Sequence, residues 1–196
     1  MTNYKNDIHA YLELEKSVLD QLDIDAINKA MNVLADARDR GSMIYTCGNG
    51  GSAATASHFQ NDFNKGISEH CDKKFKFQCL NDNVSTMLAI ANDISYDEIF
   101  RFQLDGRMNK DDVLLCISGS GNSENVLRAA QYAHSIGATV IGLTGFTGGK
   151  LLELSDVSLH VPISIMQITE DVHMIFDHLS MAIFYKTMAG LNHVKN

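Results

Sequence analysis

Two ionisable side chains, His58 and Asp62, stand four residues apart shortly after a glycine-rich run. Residues at this spacing lie on the same face of a helix, one turn apart, so an imidazole and a carboxylate would be neighbours. Zinc binds His nitrogen and carboxylate oxygen readily, and the same two groups can transfer protons. Because two ligands do not define a metal site, the pair indicates either metal binding or acid–base chemistry.

A second group of ionisable residues interrupts an apolar stretch near the end of the sequence; it consists of Glu170, Asp171, His173, Asp177 and His178. Ionisable groups on an apolar element need partners or a function. Glu170 and His178 would lie about 12 Å apart along a straight helix. Both could therefore reach one ion only if Glu170 precedes the helix; otherwise they would serve neighbouring copies of the site. For His173 and Asp177 we expect a surface or interface pair.

Two turns rich in glycine and serine are candidates for binding an anion. The first comprises Gly48, Asn49, Gly50, Gly51 and Ser52, and the second comprises Ser118, Gly119, Ser120, Gly121, Asn122 and Ser123. Each joins a predicted strand to a predicted helix, so free backbone N–H groups and the positive end of the helix dipole point into the space beyond the strand. Such turns can also be simple tight connections, but three serine hydroxyls add donors. Neither turn has the spacing of a nucleotide-binding glycine motif.

The elements that would position these groups follow from the spacing of apolar residues. Helical spacing predicts helices at about 4–21 and 24–40, the second between a cap at Asp23 and a stop at Gly41. Apolar runs then predict strands at 42–47, 75–80, 113–117, 139–143 and 157–161, and a last helix at about 167–188. The alternation predicts an α/β fold, with a five-stranded parallel sheet flanked by helices and preceded by N-terminal helices.

The expected strand order brings the two glycine-rich turns together. Five strands in such a fold most often take the flavodoxin-like order 2-1-3-4-5, and ligands then bind beyond the ends of strands 1 and 3. The two turns follow these two strands. Sequence order and expected topology therefore lead to the same crevice, which favours an anion site over two unrelated tight connections.

Composition limits the kind of ligand and the setting. The 196 residues fit one domain, 1–196, and a formal charge of −8 argues against nucleic acid or an anionic membrane as partner. An anion must therefore be held locally, by amides and hydroxyls. The four cysteines form no C-x-x-C pair, so we expect reduced core thiols. No apolar stretch approaches the roughly 20 residues needed to span a bilayer, and we expect a cytoplasmic protein.

Several segments together resemble the phosphoheptose isomerases, which have the sugar isomerase (SIS) type of domain. The resemblance is carried by the run from Cys47 to Ala54 followed by His58, by the segments 89–93, 96–100, 117–123 and 140–145, and by the ending at 171–178. These segments match in order and separation, so the resemblance covers nearly the whole chain.

The resemblance implies an activity and an assembly. The phosphoheptose isomerases interconvert sedoheptulose 7-phosphate and D-glycero-D-manno-heptose 7-phosphate through an enediol, and they work as homotetramers with sites at subunit boundaries. The expected partner is therefore a phosphorylated sugar. Residues 1–41 would form an N-terminal helical extension used in oligomerisation.

The resemblance also assigns roles to individual residues. It implies that Asn49, Gly50, Gly51 and Ser52 line the sugar phosphate pocket, that Ser118, Gly119, Ser120 and Ser123 bind phosphate, and that Asn92 and Asp93 contact sugar hydroxyls. His58, Asp62, Glu170 and His178 correspond to zinc ligands, with Asp62 as base and His178 as acid. The family carries Glu at the position of Asp62 and Gln at the position of Glu170, so two of the four ligands differ.

These two differences leave other functions open. One alternative is a non-catalytic SIS module that binds a sugar phosphate or a protein partner, as the replication-initiator-associated relatives do. Another is an isomerase that acts on a different phosphosugar, for which the same phosphate-binding turns would serve.

Overall fold

The computed structural model describes residues 2–190, which form eight α-helices and five β-strands. The helices are α1 (Lys5–Leu19), α2 (Ile24–Arg40), α3 (Gly51–Asn61), α4 (Val84–Asp93), α5 (Arg101–Leu104), α6 (Glu124–Ser135), α7 (Gly149–Glu153) and α8 (Met166–Met188). The strands are β1 (Ile44–Gly48), β2 (Phe77–Cys79), β3 (Val113–Ser118), β4 (Thr139–Thr144) and β5 (Val157–His160). A π-helical turn (Asp62–Gly66) and a 3-10 turn (Ile67–His70) follow α3 directly, and a further 3-10 turn spans Tyr96–Glu98.

The five strands form one parallel sheet in the order β2-β1-β3-β4-β5, as the sequence predicts. The two central strands β1 and β3 are buried along their whole length, as expected where helices cover both faces. Their register places Gly48 beside Ile117. The two glycine-rich turns therefore begin next to each other at the carboxyl edge of the sheet.

Helix α2 shows how local signals and burial agree. The Asp23 side chain accepts a hydrogen bond from the Ala26 N–H at 2.9 Å, and Gly41 ends the helix with a φ of 76°, so both predicted helix ends are confirmed. The face of the helix that packs on the sheet carries Ala30, Leu34 and Ala37, each fully buried. This face covers one side of the sheet next to α3 and α8.

Phenylalanines fix α3 and α8 against that same side of the sheet. Phe59 on α3 contacts Phe176 on α8, with ring centroids 5.9 Å apart, and both rings are buried. Phe63, in the π-helical turn, packs on Phe77 of β2 at 4.6 Å. The contact between Phe59 and Phe176 therefore joins α3 to α8 next to the ionisable residues His58 and Asp177, which precede and follow these rings in the sequence.

The remaining predictions about the fold concern α1 and the cysteines. All four cysteines are free and buried, as expected of core thiols. Helix α1 buries only Val18, and the apolar side chains of Tyr4, Ile8 and Leu12 are exposed. Within residues 2–190 no helix combines the length and the apolar character that crossing a membrane requires.

Candidate active site

The two glycine-rich turns line one crevice at the carboxyl edge of the sheet, which we call the cradle. Its lining includes Asn49, Gly50, Gly51, Ser52, Ser118, Gly119, Ser120, Ser123 and Glu170. These nine predicted site residues are therefore brought together: Glu170 comes from α8, and the other eight lie at or just after the ends of β1 and β3. Among the described residues that line the cradle, Glu170 carries the only charged side chain and no lysine or arginine is present. An anion would therefore have to bind the amides and hydroxyls of the two turns, apart from the Glu170 carboxylate.

A pair of asparagine side chains ties the two halves of the cradle to each other. The Asn49 amide donates to the Asn125 side-chain oxygen at 2.9 Å, and the Asn125 amide donates back to the Asn49 oxygen at 2.9 Å. The Tyr96 hydroxyl donates to the same Asn49 oxygen at 2.9 Å. Asn49, on the first turn, is thus fixed to the helix that follows the second turn.

The second turn presents hydroxyls that are not used as helix caps. Ser118 Oγ and Ser123 Oγ are 3.2 Å apart, and the Ser123 side chain makes no capping hydrogen bond to α6 although Ser123 stands at the cap position. The backbone of Gly121, with a φ of 65°, packs on the carbonyl of Gly148. The hydroxyl-bearing residues Ser118 and Ser123 thus line the cradle. On the other side of the turn, the backbone of Gly148 packs against Gly121.

A second cluster of polar side chains joins α3 to α8, and we call it the His–Asp cluster: His58, Asp62, Asp177 and His178. One candidate ligand atom from each lies within 4.8 Å of the other three. His58 Nε2 is 3.2 Å from His178 Nε2, 3.3 Å from Asp62 Oδ2 and 3.8 Å from Asp177 Oδ2. The π-helical turn begins at Asp62, and such local widening of a helix is frequent at functional sites.

These four residues fit a metal ion. For bonds of about 2.0–2.1 Å, neighbouring ligand atoms around a tetrahedral zinc lie about 3.3 Å apart, and the measured separations from His58 bracket that value. Asp177 provides independent evidence for a metal site, because both of its carboxylate oxygens are buried and lack a hydrogen-bond partner in the described part of the chain. The cluster is therefore a possible metal-binding group.

His173 and Asp177 are buried inside the protein, so the expectation of a surface or interface pair is wrong. His173 is 2% exposed and Asp177 is 0% exposed. Burial lowers the pKa of His173 to about 4, and its Nε2–H donates to the Thr144 carbonyl oxygen at 3.2 Å. Burial, with a smaller effect of the Asp62 charge, raises the pKa of Asp177 to about 8.

In metal-free protein we expect the free energy of unfolding to fall as the pH rises from 6.5 to 8. The folded chain keeps a proton on Asp177 that the unfolded chain, with the ordinary pKa of 3.8, has already released, so stability is lost as the pH approaches 8. His173 acts in the opposite direction, but only between its ordinary pKa of 6.5 and its folded pKa of about 4.

Chemical denaturation in EDTA at pH 6.5 and at pH 8 measures this decrease. Asp177→Asn has no carboxyl to titrate, so its stability should change much less over the same interval. A decrease of the same size in wild type and in Asp177→Asn would contradict the assignment to Asp177.

Glu170, a predicted metal ligand, lies outside the His–Asp cluster. Asn92 and Asp93, whose roles only the resemblance implies, also lie outside it. Glu170 lies within α8 and its carboxylate faces Gly51 at the cradle, where a Cβ on Gly51 would meet the Glu170 Oε1 at 2.3 Å. One protomer therefore does not bring Glu170 to the ion position of His58, Asp62 and His178. Asn92 and Asp93 are exposed at the end of α4, where the Asn92 amide donates to Asp93 at 2.8 Å.

Sequence reasoning missed two contributors, Asp177 and Tyr96. Asp177 follows Glu170 by seven residues, two helical turns, so both lie on the face of α8 that meets α3. That spacing was visible in the sequence and made Asp177 a candidate, but it did not show which of the two carboxylates reaches His58. Tyr96 carries no comparable signal, because its contact with Asn49 depends on how the turn after α4 folds back toward the cradle.

Comparison with known proteins gives consistent matches. The model of the SIS domain family matches residues 4–145. The phosphoheptose isomerase of Aliarcobacter butzleri is 37% identical over 79% of this chain and 81% of its own length, and that of Helicobacter pylori is 35% identical over 87% and 88%. The structure of a phosphoheptose isomerase from Francisella tularensis superposes with a TM-score of 0.86 at 28% identity, covering 93% of this chain and 98% of the other.

Proposed function

Since the chain belongs to the phosphoheptose isomerase family of SIS-domain proteins and is therefore a phosphosugar isomerase, we propose that it interconverts sedoheptulose 7-phosphate and D-glycero-D-manno-heptose 7-phosphate. The observation that carries this proposal is the cradle together with the His–Asp cluster. The first suits a phosphate and the second suits proton transfer.

The cradle suits a phosphate monoester in a protein of negative charge. The net charge of −8 gives no general attraction for anions, so the phosphate must be recognised by directed donors. Backbone N–H groups at the start of α3 and α6, with the hydroxyls of Ser118, Ser120 and Ser123, supply such donors. We propose that these groups, with Asn49, Gly50, Gly51, Ser52 and Gly119, hold the phosphate end of the sugar.

The distance between the two parts of the site favours a long sugar. Gly51 at the cradle and His58 in the His–Asp cluster are seven residues apart on α3, a rise of about 10 Å. An extended chain advances about 1.2 Å per bond, so the eight bonds from C1 to the phosphorus of a heptose 7-phosphate also span about 10 Å. A five-carbon sugar phosphate would fall short by two bonds.

The proposed chemistry assigns one proton-transfer role to each side of the cluster. Asp62 removes the proton from the carbon beside the carbonyl, and His178 donates a proton to the carbonyl oxygen, so that an enediol forms and collapses in the other direction. Holding the phosphate supplies the binding energy that positions the reacting carbon. Zinc held by His58, Asp62 and His178 would supply positive charge beside the reacting oxygen.

A panel of sugar phosphates tests the proposal. Wild-type protein should convert sedoheptulose 7-phosphate with a kcat/KM at least about tenfold higher than that for five- and six-carbon ketose phosphates, because a shorter sugar cannot fill both parts of the site. Product formation can be followed by NMR. Equal turnover of a pentose phosphate would refute the heptose assignment, and tight binding of every sugar without turnover would indicate a non-catalytic module.

We also propose a homotetramer with sites at subunit boundaries, in which residues 1–41 serve oligomerisation. The exposed apolar side chains of Ile8 and Leu12 on α1, and of Tyr4 just before it, support this, because such a face needs a partner. Asn92 and Asp93, exposed on α4, would contact sugar hydroxyls at such a boundary. Light scattering of the protein in solution would reveal the assembly, and a monomer would contradict it.

A further inference from the structure

Asp177 is a buried ionisable group that the proposed acid–base roles leave unused. Its side chain is 0% exposed, and within residues 2–190 neither carboxylate oxygen has a hydrogen-bond partner. An ionised carboxylate loses its hydration when it is buried, and this loss is strongly unfavourable unless a positive charge or donors replace the water. Asp177 therefore lies where a counter-charge is needed.

The carboxylate of Asp177 points into the His–Asp cluster. Its Oδ2 lies 3.8 Å from His58 Nε2, and one of its oxygens lies within 4.8 Å of the ligand atoms of the other three residues. His58 is the only ion-pairing partner that Asp177 has in the described part of the chain. A cation that contacts all four side chains would therefore lie at the centre of the cluster.

Within one protomer, Glu170 does not reach that centre. It lies seven residues before Asp177 on α8, a rise of about 10 Å, and its carboxylate faces Gly51 at the cradle. Both side chains lie on the face of α8 toward α3, but at different levels. Asp177 is level with His58 and Asp62, whereas Glu170 is level with the first glycine-rich turn.

We propose that Asp177 is the fourth ligand of a divalent cation held by His58, Asp62 and His178, in the place that the family resemblance gives to Glu170. This inference rests on the proposed function, which places a cation at the same cluster. Two imidazole nitrogens and two carboxylate oxygens form a donor set that zinc accepts. The two negative charges balance a divalent cation, and all four ligands come from one protomer. Glu170 is then free to contact the sugar at the cradle.

Zinc binding by the full-length chain tests the ligand assignment without reference to activity. Zinc affinity is measured by competition with a chromophoric chelator for wild type, Asp177→Asn and the matched control Glu170→Gln, which makes the same change from carboxylate to amide on the same helix. Asp177→Asn should lower the zinc affinity at least about tenfold, since loss even of supporting partners around a metal costs this much. Glu170→Gln should bind zinc as wild type does.

Thermal unfolding shows whether the variants are folded and gives a second readout. In EDTA, Asp177→Asn and Asp177→Leu should unfold at a temperature equal to or higher than that of wild type, because neither replacement can carry a buried, unpaired charge. Zinc should raise the Tm of wild type and of Glu170→Gln. It should raise the Tm of the two Asp177 variants much less.

The outcomes separate this inference from the proposed function. A loss of zinc affinity in Glu170→Gln but not in Asp177→Asn would overturn the ligand assignment, as would wild-type affinity in both variants or an active wild-type enzyme that binds no zinc. Zinc binding that depends on Asp177 in a protein that turns over no sugar phosphate would overturn the proposed reaction and leave the assignment of Asp177 intact.

Discussion

Replacing Asp62 with Asn is expected to lower kcat for sedoheptulose 7-phosphate by about 100- to 10,000-fold, the range typical for loss of a general base. The amide keeps the size of the side chain but cannot accept the substrate proton. Asp62 is 8% exposed and lies 3.3 Å from His58, so its replacement alters the His–Asp cluster and leaves the cradle untouched. Binding of inorganic phosphate, measured by calorimetry, should therefore stay within about twofold of wild type.

Two controls distinguish the base role from other effects of the substitution. Asp111→Asn makes the same charge change at an exposed position before β3, far from the carboxyl edge of the sheet, and should leave kcat unchanged. Zinc content is measured in parallel, because full recovery of Asp62→Asn activity in excess zinc would show that Asp62 acts only as a ligand. An Asp62→Asn enzyme with wild-type kcat would show that Asp62 is not the base. A His178→Gln enzyme with wild-type kcat would likewise show that His178 is not the acid.

Replacing Gly121 with Ala is expected to lower the free energy of unfolding by about 2–5 kcal/mol, the sum of a left-handed backbone and a steric conflict. Gly121 has a φ of 65°, and a Cβ there would lie 1.8 Å from the Gly148 carbonyl oxygen, which is backbone and cannot rotate away. The Gly121 carbonyl also accepts the Leu151 N–H at 2.9 Å. Separating these backbones would shift the serine hydroxyls, so phosphate affinity should fall together with stability.

Gly106 provides a matched control for this change. Its φ is 72°, but no atom of residues 2–190 outside its immediate neighbours lies within 4 Å of the position of a Cβ. Gly106→Ala therefore carries the backbone cost alone, about 1–2 kcal/mol, and should leave phosphate binding unchanged. Urea denaturation of both variants measures the difference. Equal losses of stability would mean that the contact between Gly121 and Gly148 contributes nothing beyond backbone strain.

The sheet and the cradle could be predicted from the sequence because their signals are local. Buried parallel strands appear as short apolar runs, and β3 and β4 lie within one residue of their predicted bounds. The glycine-rich turns follow the two strands between which the order of the sheet reverses. Once that order is known, placing the two turns at one crevice needs no information about side-chain packing.

The His–Asp cluster could be predicted only in part, because it depends on how two helices face each other. The spacing of His58 and Asp62 is a local signal, but α8 carries ionisable residues on several faces. The packing of Phe59 on Phe176 selects the face that meets α3. That contact joins residues more than one hundred positions apart in the sequence, so the sequence pattern could not show that Asp177, and not Glu170, reaches His58.

The reciprocal amide pair of Asn49 and Asn125 has a consequence for how the substrate is recognised. Each asparagine satisfies the other at 2.9 Å within a single protomer, so the halves of the anion site are joined by the protein's own hydrogen bonds and not through the ligand. Such preorganisation spares the incoming sugar the entropic cost of ordering loops. A larger share of the phosphate's interaction energy then remains for orienting the distant carbon on which the reaction takes place.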